Sequence, residues 1–315
     1  MQVLLIGYSR IAARRVIPAM RSAAPGLAIS VASRSAPAAS RSNDITWFHD
    51  YQDAIERSGA DLAYISLTND AHAEWAARAL SAGLHVIIDK PACIDVADTS
   101  HLISLALENR RLIAEATVFA FHPQYESLNS LLSQHDADAR QAVAVFSFPA
   151  LPESDFRNRR ERGGGALWDV GPYAVGADNA VFGEPPEAVY AAAVSHADDG
   201  LLTRFSVLFS HGEKGSLVGH FGFGTEYQNV LSVLAPGFSA SLRRAFTTTA
   251  HDPAIIDVWA RNESRAIEVP PADSFEVFLR RVFQAVERGR TGEFLGAISR
   301  DAQLLDRLRH ALGEG

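Results

Sequence analysis

The stretch LAYISLTNDAHAEWAARALSAGLHVIIDKP, residues 62–91, decides the fold. It opens on an apolar run at 62–67 and continues with apolar positions at helical spacing over 70–83. Gly83 stops that segment, and a second apolar run follows at 85–89. Short apolar runs bounded by turn signals read as buried strands, and a glycine after the last periodic position reads as a helix stop. Strand, helix and strand in this span make a βαβ unit, whose two strands lie parallel in one sheet.

The same rhythm extends in both directions. Toward the N-terminus lie a strand QVLLI (2–6), helical spacing over 10–23, a strand LAISVAS (27–33) and a short helix DYQDAIERSG (50–59). Toward the C-terminus follow a helix over 94–109 and a strand LIAEATV (112–118). Such alternation predicts a doubly wound parallel sheet with helices on both faces. SAPAAS (35–40) is too short for a low-complexity linker.

After residue 120 the pattern changes. A helix near 124–133 leads through the polar loop SQHDADAR to a strand at 141–148 and a glycine-rich helical segment at 163–182. Long alternating runs follow: AVYAAAVSH, LLTRFSVLFSH, GSLVGHFGFG, YQNVLSVLAP, FSASLRRAFT and AIIDVWAR. They predict an open, mostly antiparallel sheet. Two amphipathic helices, 274–288 and 293–311, end the pattern. The expected fold class is α/β, with a first domain over 1–119 and an α+β domain over 120–315. The last helix is expected to pack back on the first domain.

Composition narrows the function. A formal net charge of −8 argues against a sequence-independent nucleic-acid binder. No run approaches the roughly 20 apolar residues of a membrane span, and the chain enters a strand pattern at once, so a cytoplasmic location and no membrane partner are expected. The one cysteine, Cys93, excludes an internal disulfide and a multi-cysteine zinc site, and reads as a small core residue. No metal is expected.

The chain has 29 Lys and Arg, of which only Lys90 and Lys214 are lysine. Lys90 follows what reads as the fourth strand of the parallel sheet, at the strand end where open α/β sheets bind ligands. Lysine can release a proton when partly desolvated and arginine cannot, so the choice of lysine there points to chemistry.

The first strand runs into GYSRIAARRVIPAM. Gly7 and Ala12 fit a dinucleotide fingerprint, while Ser9 stands where the middle glycine belongs. Gly7, Ser9, Arg10, Ile11 and Ala12 are therefore candidate cofactor contacts, with Ser9 able to donate to phosphate and the helix N-terminus facing the pyrophosphate. At the end of the second strand, Ser33 and Arg34 occupy the place where NAD-selective sites carry Asp or Glu. A hydroxyl and a guanidinium suit a 2′-phosphate, which favours NADP(H) over NAD(H).

A second cluster lies in DFRNRRERGGGALWDVGPYAVGADNAVFG, residues 155–183. Asp169 and Tyr173 are spaced i and i+4, on one helical face. Pro172 is tolerated in a first turn, which predicts a helix start close to Asp169. The pair fits acid–base work, and it equally fits N-capping by Asp169 with a packed Tyr173. Arg14 and Arg15 lie either near phosphates or on a solvated face. The arginines at 157, 159, 160 and 162 meet either a substrate anion or solvent, with solvent expected for at least half.

The chain resembles the Gfo/Idh/MocA oxidoreductases over nearly its whole length. LTNDAHAEWAARALSAGLHVIIDKP resembles the family's helix, glycine and strand leading to E-K-P, and GGGALWDVGPY resembles its second signature. The resemblance implies an N-terminal Rossmann domain, and a C-terminal α/β domain whose open sheet makes homo-oligomers, dimers or tetramers. It implies that Lys90 contacts the reacting oxygen, that Asp169 orients the site, and that Tyr173 fills the acid–base position held by His in many sugar dehydrogenases. It implies a cis peptide before Pro91 and cofactor contacts at Thr68, Asn69, His72, Asp89, Lys90 and Pro91. Ser9 in place of glycine and Asp89 in place of the usual Glu depart from the pattern.

RIAARRVIPAM, VASRS and Tyr173 are similar to the nucleotide-hexose 3-ketoreductases within that family. The expected function is an NADP(H)-dependent oxidoreductase acting on a sugar-type small molecule, as a keto-sugar reductase. A catabolic sugar or inositol dehydrogenase is the alternative in the same fold. A non-catalytic nucleotide-responsive regulator is the alternative in another class.

Overall fold

The computed structural model describes residues 1–34, 44–135 and 140–314. The SAPAAS stretch and residues 136–139 of the polar loop lie outside the described residues. The chain divides into two compact units, one of Met1–Ala116 with Phe275–Ala302 and one of Thr117–Ser274 with Gln303–Gly315.

The first unit carries six parallel strands: β1 (Gln2–Ile6), β2 (Ala28–Ala32), β3 (Ile45–Phe48), β4 (Leu62–Ile65), β5 (His85–Ile88) and β6 (Ile113–Glu115). Their spatial order is β3-β2-β1-β4-β5-β6, the Rossmann order, with its topological switch point between β1 and β4. The strands are apolar on both faces because helices cover both; every residue of β4 and β5 is buried. β3 is absent from the sequence expectation, so Lys90 follows the fifth strand rather than the fourth.

The helices begin where side chains satisfy their free N–H groups. Asp50 caps α2 (Tyr51–Arg57) by accepting from Asp53 N at 2.8 Å. Asp95 caps α4 (Val96–Glu108) by accepting from Ala97 N at 2.7 Å. The first crossover opens with a π-type turn, Ala12–Val16, before α1 (Ile17–Ala23). α3 (His72–Ser81) turns Ala76, Ala79 and Leu80 into the core. Cys93 is buried there too, and burial pushes its thiol up to about 12, as suits a packing residue.

In the second unit, α5 (Pro123–Gln134) precedes β7 (Arg140–Phe148), and α6 (Ala166–Phe182) follows it. The rest of the sheet comprises β8 (Ala188–His196), β9 (Leu202–Ser210), β10 (Gly215–Phe223), β11 (Gln228–Ala235), β12 (Phe238–Leu242), β13 (Ala254–Ala260) and β14 (Glu263–Val269). The order is β14-β13-β12-β11-β7-β10-β9-β8, antiparallel throughout except for the parallel β7–β10 pair. α6 packs on β7, β9 and β10. The strands alternate, and large apolar side chains remain exposed on the sheet: Val143, Tyr190, Val194, Val218, Leu234 and Trp259.

α6 differs from expectation. It starts at Ala166, and Pro172 lies inside it rather than in its first turn. Burial outweighs the lost N–H: Asp169, Val170, Gly171, Pro172, Ala174 and Val175 are all buried. A Cβ on Gly171 would come 2.9 Å from Leu305, and one on Gly176 would come 2.5 Å from the Phe119 ring, so both glycines permit close packing. Two further helices follow, α7 (Ser274–Glu287) and α8 (Leu295–Ala311). Among the described residues, no helix is long and apolar enough to cross a membrane.

Candidate active site

At the C-terminal end of β1, Gly7 takes φ +96°, and a Cβ there would fall 2.1 Å from the Ser66 carbonyl oxygen. Only glycine fits this close approach of the first turn to the end of β4. The Ser9 hydroxyl accepts from Ala12 N at 3.0 Å and lies 2.9 Å from the Ser66 hydroxyl. Ser66 gives its own proton to Asp89, at 2.7 Å. Ser9 must then donate to Ser66, so its proton is not directed to a phosphate, as the sequence had suggested. Arg10 and Ile11 are exposed and Ala12 is buried.

Ser33 is buried at the end of β2, its N–H bonded to the Phe48 carbonyl at 3.0 Å. Arg34 is exposed, with its guanidinium 4.7 Å from the Tyr51 ring centroid. Of the Arg14–Arg15 pair, Arg14 is exposed and Arg15 lies over Phe275 at 5.1 Å.

Thr68 precedes a single turn, Asn69–Ala71, in which Asn69 is buried. His72 is 0% exposed, with Nδ1 2.9 Å from the Pro91 carbonyl and Nε2 3.2 Å from that of Leu67. Both ring nitrogens face backbone oxygens, so His72 ties two loops together from within rather than presenting an open face to a ligand. The Lys90–Pro91 bond is cis. Asp89 N bonds to the Ile65 carbonyl at 3.0 Å, and Ala92 N bonds to Glu115 Oε2 at 3.0 Å. Asp89 Oδ1 accepts from the Tyr64 hydroxyl at 2.6 Å. Burial, with Asp89 alongside, holds the Tyr64 phenol well above its ordinary range, so it acts as a donor.

In the second unit, Asp169 does not cap its helix; Gly165 occupies that position. Asp169 is buried and pairs with Arg157 Nε at 2.9 Å. Arg157 also reaches Asp155 at 3.2 Å, and the two carboxylates raise its pKa despite burial. Arg159, Arg160 and Arg162 are exposed, and Arg160 binds the Gly200 carbonyl. The half-buried Tyr173 ring packs against Phe146 at 4.6 Å, Phe119 at 5.3 Å and Phe246 at 5.6 Å. This aromatic wall fixes the ring plane.

Sequence reasoning missed Tyr64, Ser66, the specific role of Arg157 and the phenylalanine wall. One signal was available: residues two apart on a strand share a face, so the Tyr64 and Ser66 hydroxyls had to project together.

Residues 1–119 match the profile described as "Oxidoreductase family, NAD-binding Rossmann fold", and residues 137–237 match the GFO/IDH/MocA C-terminal domain. The chain belongs to the Gfo/Idh/MocA oxidoreductase family. This oxidoreductase is 30% identical over 275 residues to dTDP-3,4-didehydro-2,6-dideoxy-alpha-D-glucose 3-reductase of Saccharopolyspora spinosa, covering 85% of this chain and 82% of that one. It is also similar to the crystal structure of KijD10, a 3-ketoreductase from Actinomadura kijaniata in complex with NADP and TDP-benzene. The TM-score is 0.93 at 27% identity, covering 99% and 98% of the two chains. D-xylose 1-dehydrogenase (NADP(+)) 2 of Haloferax volcanii is 28% identical, covering 91% and 89%.

Proposed function

We propose that this oxidoreductase reduces the keto group of a nucleotide-linked sugar, with NADPH as reductant. The likeness to a 3-ketoreductase over 99% of the chain carries the reading. The residues fit the cofactor. Gly7 gives the close turn, the described end of β2 carries Ser33 and Arg34 in place of a carboxylate, and Arg34 suits a 2′-phosphate. Thr68, Asn69, Asp89 and Pro91, on the segments that follow β4 and β5, are further candidate contacts.

When bound, NADPH supplies a hydride to the carbonyl carbon. Lys90 contributes a fixed positive charge for the oxygen that becomes an alkoxide. Tyr173 donates the phenolic proton to that oxygen, giving the alcohol, and regains a proton from water. Asp169, held by Arg157, orients the groups around Tyr173, and the phenylalanine wall holds its ring. The exposed apolar side chains of the second sheet support self-association through that face.

The test is substitution. Lys90→Ala and Tyr173→Phe each lower turnover by about 100-fold or more while NADPH still binds, on the scale of general acid–base catalysis. Full turnover in both variants rejects the assignment. The likeness to a xylose dehydrogenase favours a second reading, oxidation of a free sugar. Comparing keto-sugar reduction with sugar oxidation on one preparation separates the two.

A further inference from the structure

β4 and β5 run parallel with Ile65 opposite Ile88, so both chains leave the sheet at the same end. There the Asp89 carboxylate is held at both oxygens, by the Tyr64 hydroxyl at 2.6 Å and the Ser66 hydroxyl at 2.7 Å. Beyond Ser66 stands Ser9, and beyond Ser9 the Ala12 N–H. A hydroxyl has one proton, so the order of donation is fixed. Ala12 N–H gives to Ser9, Ser9 to Ser66, and Ser66 to Asp89. The chain of hydrogen bonds runs one way, from the backbone of the first turn to the carboxylate adjoining Lys90.

We propose that Tyr64, Ser66 and Ser9 are positioning residues that hold Asp89, and with it the backbone bearing Lys90, in one hydrogen-bonded unit with the dinucleotide turn. This rests on the reading of Lys90 as the charged group of a reductase. The two departures from the family pattern are then the two ends of a matched device. A glycine at position 9 has no hydroxyl to reach Ser66. A glutamate at position 89 carries its carboxylate one methylene farther and could not keep the same 2.6 and 2.7 Å contacts. Tyr64 is fully buried, so its hydroxyl serves Asp89 rather than a ligand.

The chain's two lysines make a direct assay possible, because Lys214 is exposed, paired with Glu184, and serves as an internal reference. Trace acetylation of the apoprotein with acetic anhydride, read by peptide mass spectrometry, gives the ratio of Lys90 to Lys214 reactivity. Tyr64→Phe removes a donor that disperses the Asp89 charge, so the neighbouring ammonium is favoured and the ratio falls about threefold. Asp89→Asn removes the charge itself, so the ratio rises about threefold. A merely structural role would loosen the segment and raise the ratio in both.

Ser66→Ala removes the other donor and moves the ratio as Tyr64→Phe does, which serves if the tyrosine variant fails to fold. In Tyr64→Phe, kcat for keto-sugar reduction falls about tenfold while the NADPH dissociation constant stays within about twofold, as expected for a positioning effect on a charged contact. An unchanged ratio, or shifts of one sign in Tyr64→Phe and Asp89→Asn, overturns the proposal. Opposite shifts in a protein that reduces no keto sugar uphold the positioning and reject the functional reading. Normal turnover with unchanged ratios does the reverse.

Discussion

Arg157 is an arginine whose loss the protein should feel strongly. Its side chain is 20% exposed, and it neutralises Asp169 and Asp155, whose side chains are 10% and 13% exposed. Arg157→Met fills much of the same space but takes the Arg157 charge away from two nearly buried carboxylates. Removing one partner of such a pair costs about 3–5 kcal/mol, most of it from the stranded charge. At roughly 2–4 °C per kcal/mol for a unit of this size, melting followed by circular dichroism should fall by about 10 °C. Arg157→Lys keeps the charge but not the planar fork, and should lose less than half as much. The double variant Arg157→Met with Asp169→Asn should recover part of the loss, because one of the two carboxylate charges is gone. A single Arg157→Met variant melting within about 2 °C of the parent would refute this reasoning, as would a double variant less stable than Arg157→Met.

Two other outcomes are expected. Arg34→Ala should weaken NADPH binding by about 10-fold or more and leave NADH nearly unaffected, measured by fluorescence titration of both, because a charged hydrogen bond contributes about 1.5–3 kcal/mol. Asp178 is fully buried beside His211, 2.9 Å away, and burial raises its pKa to about 6 although His211 opposes the rise. A carboxyl whose folded pKa is raised contributes stability below its unfolded pKa, and that contribution is lost as pH climbs through the folded value. Urea denaturation should therefore show stability falling between about pH 4 and pH 6 on account of Asp178, and Asp178→Asn should flatten that slope.

What the sequence disclosed followed from which side chains face a core. The alternation over 2–118 and the runs from 202 to 260 were legible because those elements bury at least one face, whereas β8, an edge strand with no buried residue, was legible from its apolar composition alone. The two strands that escaped, Ile45–Phe48 and Glu263–Val269, both lie at sheet edges, where one neighbour is missing and polar side chains are tolerated. Five of the seven residues of Glu263–Val269 are exposed, so no hydrophobic period marks it. Lys90 was visible because lysine is rare here and this one follows a strand, and Asp169 and Tyr173 because they stand four residues apart on one helix. Their supports were not: Tyr64 meets Asp89 only through the register of two parallel strands, and Arg157 reaches Asp169 across a turn. The start of α6 is not legible from Pro172, because the packing around that residue outweighs its missing N–H.

The first unit is not contiguous along the polypeptide. Ile298 is 1% exposed in the same core cluster as Leu4, Ile6 and Ile65, and Ser22 bonds Glu276 at 2.6 Å. A nascent chain therefore emerges from the ribosome with this core unfinished, and the missing pieces arrive only after the whole of the second sheet has been translated. Cutting the gene at the end of β6 would yield a fragment with a bare hydrophobic seam, whereas moving the termini by circular permutation to join residues 275–302 to residue 1 would let that unit mature as one piece.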